Sequence, residues 1–187
     1  MEVLSPRPNN TVLEAHSGEP LRYRSRRLRQ EQDWRLFPLT GISFEQFKGF
    51  LAWLNHPRRL PGARLCNEME WEHAARGADD RMFPHGDWLQ MDDANIDVTY
   101  DRQPYDFGPD EVGSHPQSVS PFGLQDMAGN AFELTQASVL DLGDFVIRGG
   151  AWYYDDTAAF VSNRQPFPAE NTDPIVGLRL CADWPPR

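Results

Sequence analysis

The sequence has little of three features that mark common classes of protein. No run of about 18 apolar residues occurs in the chain, so no segment is expected to span a membrane. The first ten residues, MEVLSPRPNN, contain no apolar stretch like that of a secretory signal. Two cysteines are too few for a disulfide-dense secreted scaffold. The sequence therefore predicts a cytoplasmic protein with no membrane contact.

Charge is abundant but unevenly distributed. The net charge is −10, yet residues 1–64 carry 11 positive and 6 negative side chains, whereas residues 65–187 carry 7 and 22. Arginines alternate with apolar residues in the stretch LRYRSRRLR, residues 21–29. This stretch could contact nucleic acid, or it could lie against the acidic body of its own chain or of a neighbour. We predict the second arrangement and no nucleic-acid partner, because the acidic body would repel a phosphate backbone.

The first of two predicted helices begins after Ser43. Ser43 and Gln46 have the spacing of a capping box, and the pair His56-Pro57 ends the helix. Its apolar residues recur on one face: Phe44, Phe47, Leu51 and Leu54.

The second helix begins after Asn67, which is a predicted N-cap with Glu70 three residues later. Gly77 is placed to end this helix, and the predicted buried face is Trp71, Ala74 and Ala75. Turn residues dominate from residue 78 to 147, and two short buried strands are predicted within FVIRGGAW and IVGLRLCA. With 40% apolar residues, the pattern indicates a packed, loop-rich α+β domain.

Four sequence blocks in a fixed order resemble the formylglycine-generating enzyme family, also called the sulfatase-modifying-factor domain. The blocks are RLCNEMEWEHAARG (64–77), GLQDMAGNAFELT (123–135), RGGAW (148–152) and GLRLC (177–181). The resemblance covers about residues 36–183. The sequence also resembles versions of the domain that are attached to bacterial serine/threonine kinases. The resemblance implies a variant of the C-type-lectin fold, loop-rich, with two main helices and short strands.

The resemblance fails at the front of the chain. The family's opening Gly-Gly-x-Phe-x-Met-Gly pattern is missing. We therefore expect residues 1–34 to be an N-terminal arm or the remnant of a preceding segment, and residues 35–187 to form the domain.

The resemblance also fails at the positions that do the chemistry in active members of the family. Those enzymes place two cysteines, five positions apart, after the Gly-Gly turn, where they bind copper, and a serine directly after the glycines. The matching positions here are Tyr154, Ala159 and Ala151. A phenol and a methyl group cannot replace thiolate, which is the soft ligand that suits Cu(I). We therefore expect no catalytic residues, no copper and no formylglycine synthesis.

A different metal enzyme on the same scaffold is the alternative, because some relatives are non-haem iron enzymes with clustered histidines. The five histidines here are scattered, and no His-x-x-x-His pair occurs: His16, His56, His73, His85 and His115. A divergent metal-dependent oxidoreductase is therefore the second interpretation.

Calcium is the cofactor that the resemblance implies. The first site would take the carboxylates of Asp126 and Glu133 and the carbonyls of Gly129 and Ala131. The second would take Asn95, the Ile96 carbonyl, Asp106 and the Gly108 carbonyl. Oxygen ligands from glycine-containing loops suit Ca²⁺. The alternative is that hydrogen bonds from Asp and Asn to backbone amides hold both loops without metal.

The two cysteines, Cys66 and Cys181, match positions that relatives pack close together. A disulfide is conceivable, but in a cytoplasmic protein we expect two reduced, buried thiols.

The predicted function rests on the loops around the last strands, which form the ligand face in C-type-lectin-like folds. Aromatic side chains mixed with Asn, Asp and Arg are typical of binding surfaces. The expected ligand-binding residues are Tyr153, Tyr154, Asp155, Asn163, Arg164 and Phe167. We also expect Phe132 to form part of this face and Trp152 to lie in the core. We expect a non-catalytic ligand-binding or regulatory module with a protein or small-molecule ligand. It would belong to a bacterial signalling protein, or be a variable binding protein like those that share this fold.

Overall fold

The computed structural model describes residues 3–4, 11–13, 16–23, 25–103, 106–138 and 143–183. These residues form an α+β fold with two α-helices, α1 (Phe44–Leu54) and α2 (Glu68–Arg76), and short 3-10 helices at Trp34–Leu36 and Asp156–Ala159. The strands are β1 (Val3–Leu4), β2 (Thr11–Leu13), β3 (Leu21–Arg22), β4 (Glu31–Gln32), β5 (Ala63–Leu65), β6 (Phe132–Gln136), β7 (Phe145–Arg148), β8 (Gln165–Pro166), β9 (Val176–Leu178) and β10 (Leu180–Ala182). The predicted fold class is confirmed. Within the described ranges, no helix has the length and apolar character needed to cross a membrane.

Both helices begin at the predicted caps. The Ser43 hydroxyl accepts from the Gln46 amide, and the Gln46 side chain accepts from the Ser43 amide, which completes the capping box. Asn67 and Glu70 make the same reciprocal pair ahead of α2. α2 ends at Gly77, whose φ of 74° is costly for other residues.

A four-stranded sheet in the order β8-β7-β6-β9 forms the centre of the domain. β6 pairs antiparallel with β7, so that Glu133 lies opposite Arg148, and it pairs parallel with β9. β6 was not predicted, because its five residues follow a long run of turns with little alternation. A second, two-stranded sheet joins β5 to β10.

α2 packs against this sheet with a face that is only partly apolar. Trp71 and Ala75 are buried as predicted, with Met127 and Val161 beside them. Glu68 and Glu72 are buried on the same helix, which the apolar periodicity did not indicate. Both carboxylates are paired: Glu72 accepts hydrogen bonds from Arg148 and Arg164, and Glu68 lies 3.2 Å from Arg164.

The expectation of two reduced thiols is wrong. Cys66 and Cys181 form a disulfide, with their Cα atoms 4.9 Å apart. The cause is the pairing of β5 with β10, which places Arg64 opposite Cys181 and sets Cys66, two positions on, beside the same strand. Because disulfides persist mainly in oxidising compartments, this bond removes one argument for a cytoplasmic location.

The basic segment lies against the acidic body of its own chain. Tyr23 is buried, and its hydroxyl donates to the Pro109 carbonyl at 2.7 Å. Arg26 is buried against Asp110, and Arg29 donates to Asp92 at 2.6 Å. This is the predicted arrangement for residues 21–29; parts of the predicted arm, residues 1–2, 5–10, 14–15 and 24, lie outside the described residues.

Candidate ligand-binding face and the two predicted calcium loops

The turn after β7 fixes the geometry of the candidate face. Gly149 and Gly150 have φ of 88° and 77°, a region that favours glycine. A Cβ atom on Gly150 would lie 2.9 Å from the backbone of Ala159. The turn therefore presses directly on the 3-10 helix Asp156–Ala159, and only glycine permits this approach.

The positions that would carry the catalytic cysteines have separated into core and surface. Ala151 and Ala159 are completely buried. Ala159 packs with Phe83, Ala94 and Ile96 in an apolar cluster. Tyr154 is 41% exposed at the surface. An alanine methyl group at position 159 and a tyrosine ring at position 154 therefore take the place of the two thiols.

An exposed group of aromatic rings lies at this place. We call it the aromatic face and define it as Phe107, Trp152, Tyr153 and Tyr154. The Tyr153 ring centroid lies 5.7 Å from Phe107, 5.8 Å from Trp152 and 5.9 Å from Tyr154. Tyr153 is 58% exposed, more than Tyr154. Phe107 was missed from the sequence because it lies far from the other three along the chain.

Hydrogen bonds hold the aromatic face in one conformation. The Tyr154 amide donates to the Ala151 carbonyl at 3.0 Å, and the Tyr154 carbonyl accepts from the Asp97 amide at 2.9 Å. Asp155 caps the 3-10 helix by accepting from the amide and hydroxyl of Thr157. The side-chain hydrogen bond from Thr157 lowers the pKa of Asp155, which keeps this carboxylate charged beside the rings.

The structure brings together only some of the predicted ligand-binding residues. Tyr153, Tyr154 and Asp155 are exposed neighbours. Asn163 donates to the Ala158 carbonyl at 3.0 Å, and Arg164 turns towards Glu68 and Glu72. Phe167 packs against the sheet.

Two expectations about neighbouring aromatic residues are wrong. Trp152 is half-buried rather than part of the core, because it packs on Phe107 and Tyr153 at the surface. Phe132 is not at the surface: it is buried in β6, with its ring 5.4 Å from that of Tyr154.

In the first predicted calcium loop, the carboxylate of Glu133 is already paired. Arg179 donates to both of its oxygens, at 2.7 and 2.8 Å, and the Trp71 indole donates to one of them at 2.5 Å. Asp126 accepts from the Gly113 amide at 2.6 Å. Burial raises the pKa of Asp126, so its charged form has little support there.

The first loop also borders a groove of 680 Å³. The charged residues in its walls are Asp126, Glu133 and Arg179. The walls are otherwise mainly apolar, and the apolar residues are Phe37, Pro38, Leu39, Val112, Leu124, Phe132, Leu178 and Leu180. The groove is distinct from the aromatic face, because the two share none of their residues.

The second predicted calcium loop is occupied by a side chain from the basic segment. Arg26 donates to the carbonyls of Asp106 and Gly108, at 2.8 and 3.0 Å, and to the carboxylate of Asp110. The Gly108 carbonyl accepts a further hydrogen bond from the Asn95 amide at 2.9 Å. The Ile96 carbonyl accepts from the Thr99 amide.

Within the described part of the chain, no three or more His, Cys, Asp or Glu side chains converge as metal ligands. The buried His115 is held by Asp110 and by the Asp92 carbonyl. The calcium and iron interpretations therefore stay predictions.

The sequence did not indicate a polar network formed by Ser118, His85 and Asp93. The Ser118 hydroxyl lies 3.5 Å from His85 Nδ1, and His85 Nε2 lies 3.1 Å from Asp93. A nucleophilic serine must reach its substrate, but Ser118 is completely buried. This chain of residues therefore holds loops together rather than forming a hydrolase triad.

Comparison with protein families decides the relationship that the four sequence blocks indicate. The model of the sulfatase-modifying factor enzyme 1-like domain matches residues 10–184. The chain belongs to this family.

Two known proteins are similar to this chain in sequence. A serine/threonine-protein kinase, pkn1 of Chlamydia pneumoniae, is 33% identical over 114 residues, which are 60% of this chain and 16% of the kinase. The inactive C-alpha-formylglycine-generating enzyme 2 of Bos taurus is 31% identical over 137 residues, 69% of this chain and 42% of that protein. The chain thus spans less than half the length of either relative.

A solved structure supports the fold. PvdO from Pseudomonas aeruginosa superposes with a TM-score of 0.65 over 90% of this chain and 69% of that one, at 20% identity. At this identity the similarity shows the fold alone.

Proposed function

We propose that this member of the sulfatase-modifying factor family is a non-catalytic ligand-binding module, and that the aromatic face is its contact surface. The observation that carries the proposal is the fate of the two cysteine positions. Ala159 is buried in the core, whereas Tyr154 is exposed at the surface and belongs to the aromatic face with three other rings. The place of the lost reaction centre is therefore an aromatic surface.

The composition of the aromatic face supports recognition. Tyrosine and tryptophan supply large contact area with few rotatable bonds, and they are enriched among the residues that dominate binding energy. The backbone hydrogen bonds around Tyr154 fix the loop before any ligand arrives, which reduces the entropy lost on binding. The charged Asp155 and the acidic body favour a ligand with positive charge. We expect a basic peptide that also carries aromatic residues.

The relatives supply context for this role. One is named as an inactive enzyme, which agrees with a family member that has lost its chemistry. Another is a protein kinase, much longer than the matched region. We infer that such a domain serves as the recognition part of a larger signalling protein.

The groove beside the first calcium loop is a second candidate surface, because large, mainly apolar cavities are the usual sites of small ligands. One experiment separates the two. A random peptide library displayed on phage is selected on the wild-type protein, and the enriched peptides are tested on two variants. The double variant Tyr153→Ala, Tyr154→Ala removes the aromatic face, and Val112→Asp places a charge in the groove wall.

We expect basic peptides that lose binding to the tyrosine double variant and keep binding to Val112→Asp. If the enriched peptides lose binding only to Val112→Asp, the groove is the binding surface. If they bind both variants as well as the wild type, neither surface is the binding site. A parallel incubation with copper, oxygen and a Cys-x-Pro-x-Arg peptide should give no aldehyde, and formation of one would refute the non-catalytic assignment.

A further inference from the structure

We propose that two arginines, Arg26 and Arg179, take the place of the calcium ions that the family resemblance implies, so that folding of this chain does not require calcium. The residues of the two loops fit a guanidinium better than they fit a metal ion. Each loop already holds one positive charge, and the chain itself supplies it.

The second loop shows this substitution most fully. The Arg26 guanidinium donates to the carbonyls of Asp106 and Gly108 and to the Asp110 carboxylate, using all three of its nitrogens. Arg26 is only 4% exposed. Its carbon centre lies 3.3 Å from the centroid of the Tyr23 ring and 3.7 Å from that of Tyr100, so the plane is held between two aromatic faces. A planar fork of donors between two rings is a site for arginine.

Three of the predicted calcium ligands in this loop already accept hydrogen bonds, those from Ile96, Asp106 and Gly108. The Gly108 carbonyl accepts from Arg26 and from Asn95, which employs both of its lone pairs. The Asp106 carboxylate accepts from the Ser25 amide. A Cβ atom at Gly108 would collide with the Tyr23 side chain, so the basic segment packs directly on the loop.

The first loop repeats the arrangement with a different arginine. Arg179 grips both oxygens of Glu133, and one of its nitrogens also donates to the Gln125 carbonyl at 2.9 Å. A guanidinium keeps its charge in proteins. Arg179 therefore neutralises Glu133, one of the two carboxylates that the resemblance assigns to the ion.

Electrostatics opposes a calcium ion in addition to these arginines. A divalent ion bound to Glu133 would lie against the Arg179 guanidinium, and one bound to Gly108 would lie against that of Arg26. Like charges at such separations repel strongly in a partly buried site. The arginine must therefore leave before the ion can enter.

Arg26 comes from a distant part of the chain. It lies in residues 21–29, 80 positions before the Asp106 carbonyl to which it donates. The segment thus brings its own cation to the body, and its docking and the order of the loop depend on the same contact.

The first test uses the wild-type protein alone. Its thermal unfolding is followed in EDTA and in millimolar CaCl₂, and bound calcium is measured in the purified protein by elemental analysis. We expect overlapping unfolding curves and far less than one calcium ion per chain. A melting temperature that falls in EDTA, or stoichiometric calcium, would overturn the proposal whatever the variants do.

The second test empties each loop of its arginine. Arg179→Met keeps much of the apolar stem but removes the charge, and Arg26→Met does the same in the other loop. Arg35→Met is the matched control, because Arg35 is an exposed arginine that pairs with Asp33. We expect both loop variants to melt at lower temperature than the wild type, and CaCl₂ to restore part of the loss in them but not to shift the control.

Terbium luminescence gives a reading at the first loop that does not depend on stability. Trp71 donates to Glu133, so a Tb³⁺ ion bound there would be close enough to be excited through the indole. Emission should rise with Arg179→Met, fall again on adding calcium, and stay low in the wild type. If neither variant responds to calcium or terbium, the two arginines are ordinary ion pairs and do not replace an ion.

Discussion

Two regions of this domain bury their side chains by different means. The sheet region, α2 with β6, β7 and β9, is held by backbone ladders and by apolar side chains such as Trp71 and Val146. The loop region, residues 92–103 and 106–131, contains no strand or helix among its described residues. It is ordered by buried polar side chains instead: Asn95, Asp106, Asp110, His115 and Asn130.

The difference shows in how a single residue is used. Asp110 is completely buried and accepts from Arg26, Gln32, Tyr100 and His115. Burial alone would raise its pKa, but the hydrogen bond from His115 and the charge of Arg26 lower it instead. A loop region of this kind depends on the hydrogen bonds of its buried polar groups, because an unpaired polar group is costly in a buried site. We therefore expect the loop region to be the more sensitive to point substitution.

The largest expected effect comes from breaking this polar hub. Asp110→Asn keeps the size of the side chain but leaves the buried charge of Arg26 unpaired. Removing one partner of a buried ion pair typically costs about 3–5 kcal/mol of unfolding free energy. Urea unfolding followed by circular dichroism measures the loss.

The matched control for Asp110 is Asp92, whose bond to Arg29 is half-exposed. Asp92→Asn should cost about 0–1 kcal/mol, as surface ion pairs do. If the two substitutions cost the same, the loop region does not depend on its buried network and the comparison fails.

The sheet region has its own covalent support, which gives the second-largest effect. The disulfide joins residues 115 apart, and closing a long loop restricts the unfolded chain. Replacing Cys66 and Cys181 together by alanine should lower the unfolding free energy by about 2–4 kcal/mol. Dithiothreitol should lower the stability of the wild type by a similar amount and leave the double variant unchanged. If the reductant does not change the stability of the wild type, the two cysteines are reduced thiols and not a disulfide.

The sequence predicts local elements better than long-range contacts, for a physical reason. Helix caps such as Ser43 with Gln46 are local patterns, and so is the apolar spacing of Trp71 and Ala75, so they can be read from neighbouring residues. The pairing of Arg26 with Asp110 spans 84 positions and leaves no periodic signal. The same holds for Arg179 with Glu133.

In the candidate site, too, the sequence predicts neighbouring residues but not residues that are distant along the chain. Tyr153, Tyr154 and Asp155 were predicted because they are consecutive and follow the Gly149-Gly150 turn. Phe107 was missed because only the folded chain brings it to Tyr153. The ligand-binding residues as a set stay a prediction, since the structure turns Arg164 towards the buried acids of α2.

A smaller effect is expected at the aromatic face, which lies on the loop region but outside its polar network. Tyr154→Ala should cost about 1–2 kcal/mol, the loss of its edge-on ring contacts with Phe132 and Tyr153. Replacing a core tryptophan by alanine typically costs about 3–5 kcal/mol of unfolding free energy. Because Trp152 is half-buried, Trp152→Ala should cost less than this. Thermal unfolding of both variants checks this order. A Tyr154 variant as unstable as the Asp110 variant would mean that the ring plugs the old reaction centre rather than forming a contact surface.

The smallest expected effect tests an exposed ion pair of the sheet region. Arg64 donates to both oxygens of Glu70 at 2.7 Å, and this bond lowers the pKa of Glu70. A lowered pKa in the folded state adds stability that is present above the ordinary value of 4.5 and is lost as the pH falls through the folded value. Glu70→Gln keeps an acceptor for the Asn67 amide but removes the charge. Because Arg64 and Glu70 are both 37% exposed, the cost at neutral pH should be only about 0.2–1 kcal/mol. The gap between wild type and variant should close as the solution is acidified below the folded pKa. A gap that persists in acid would show that the capping geometry, not the charge, gives Glu70 its role.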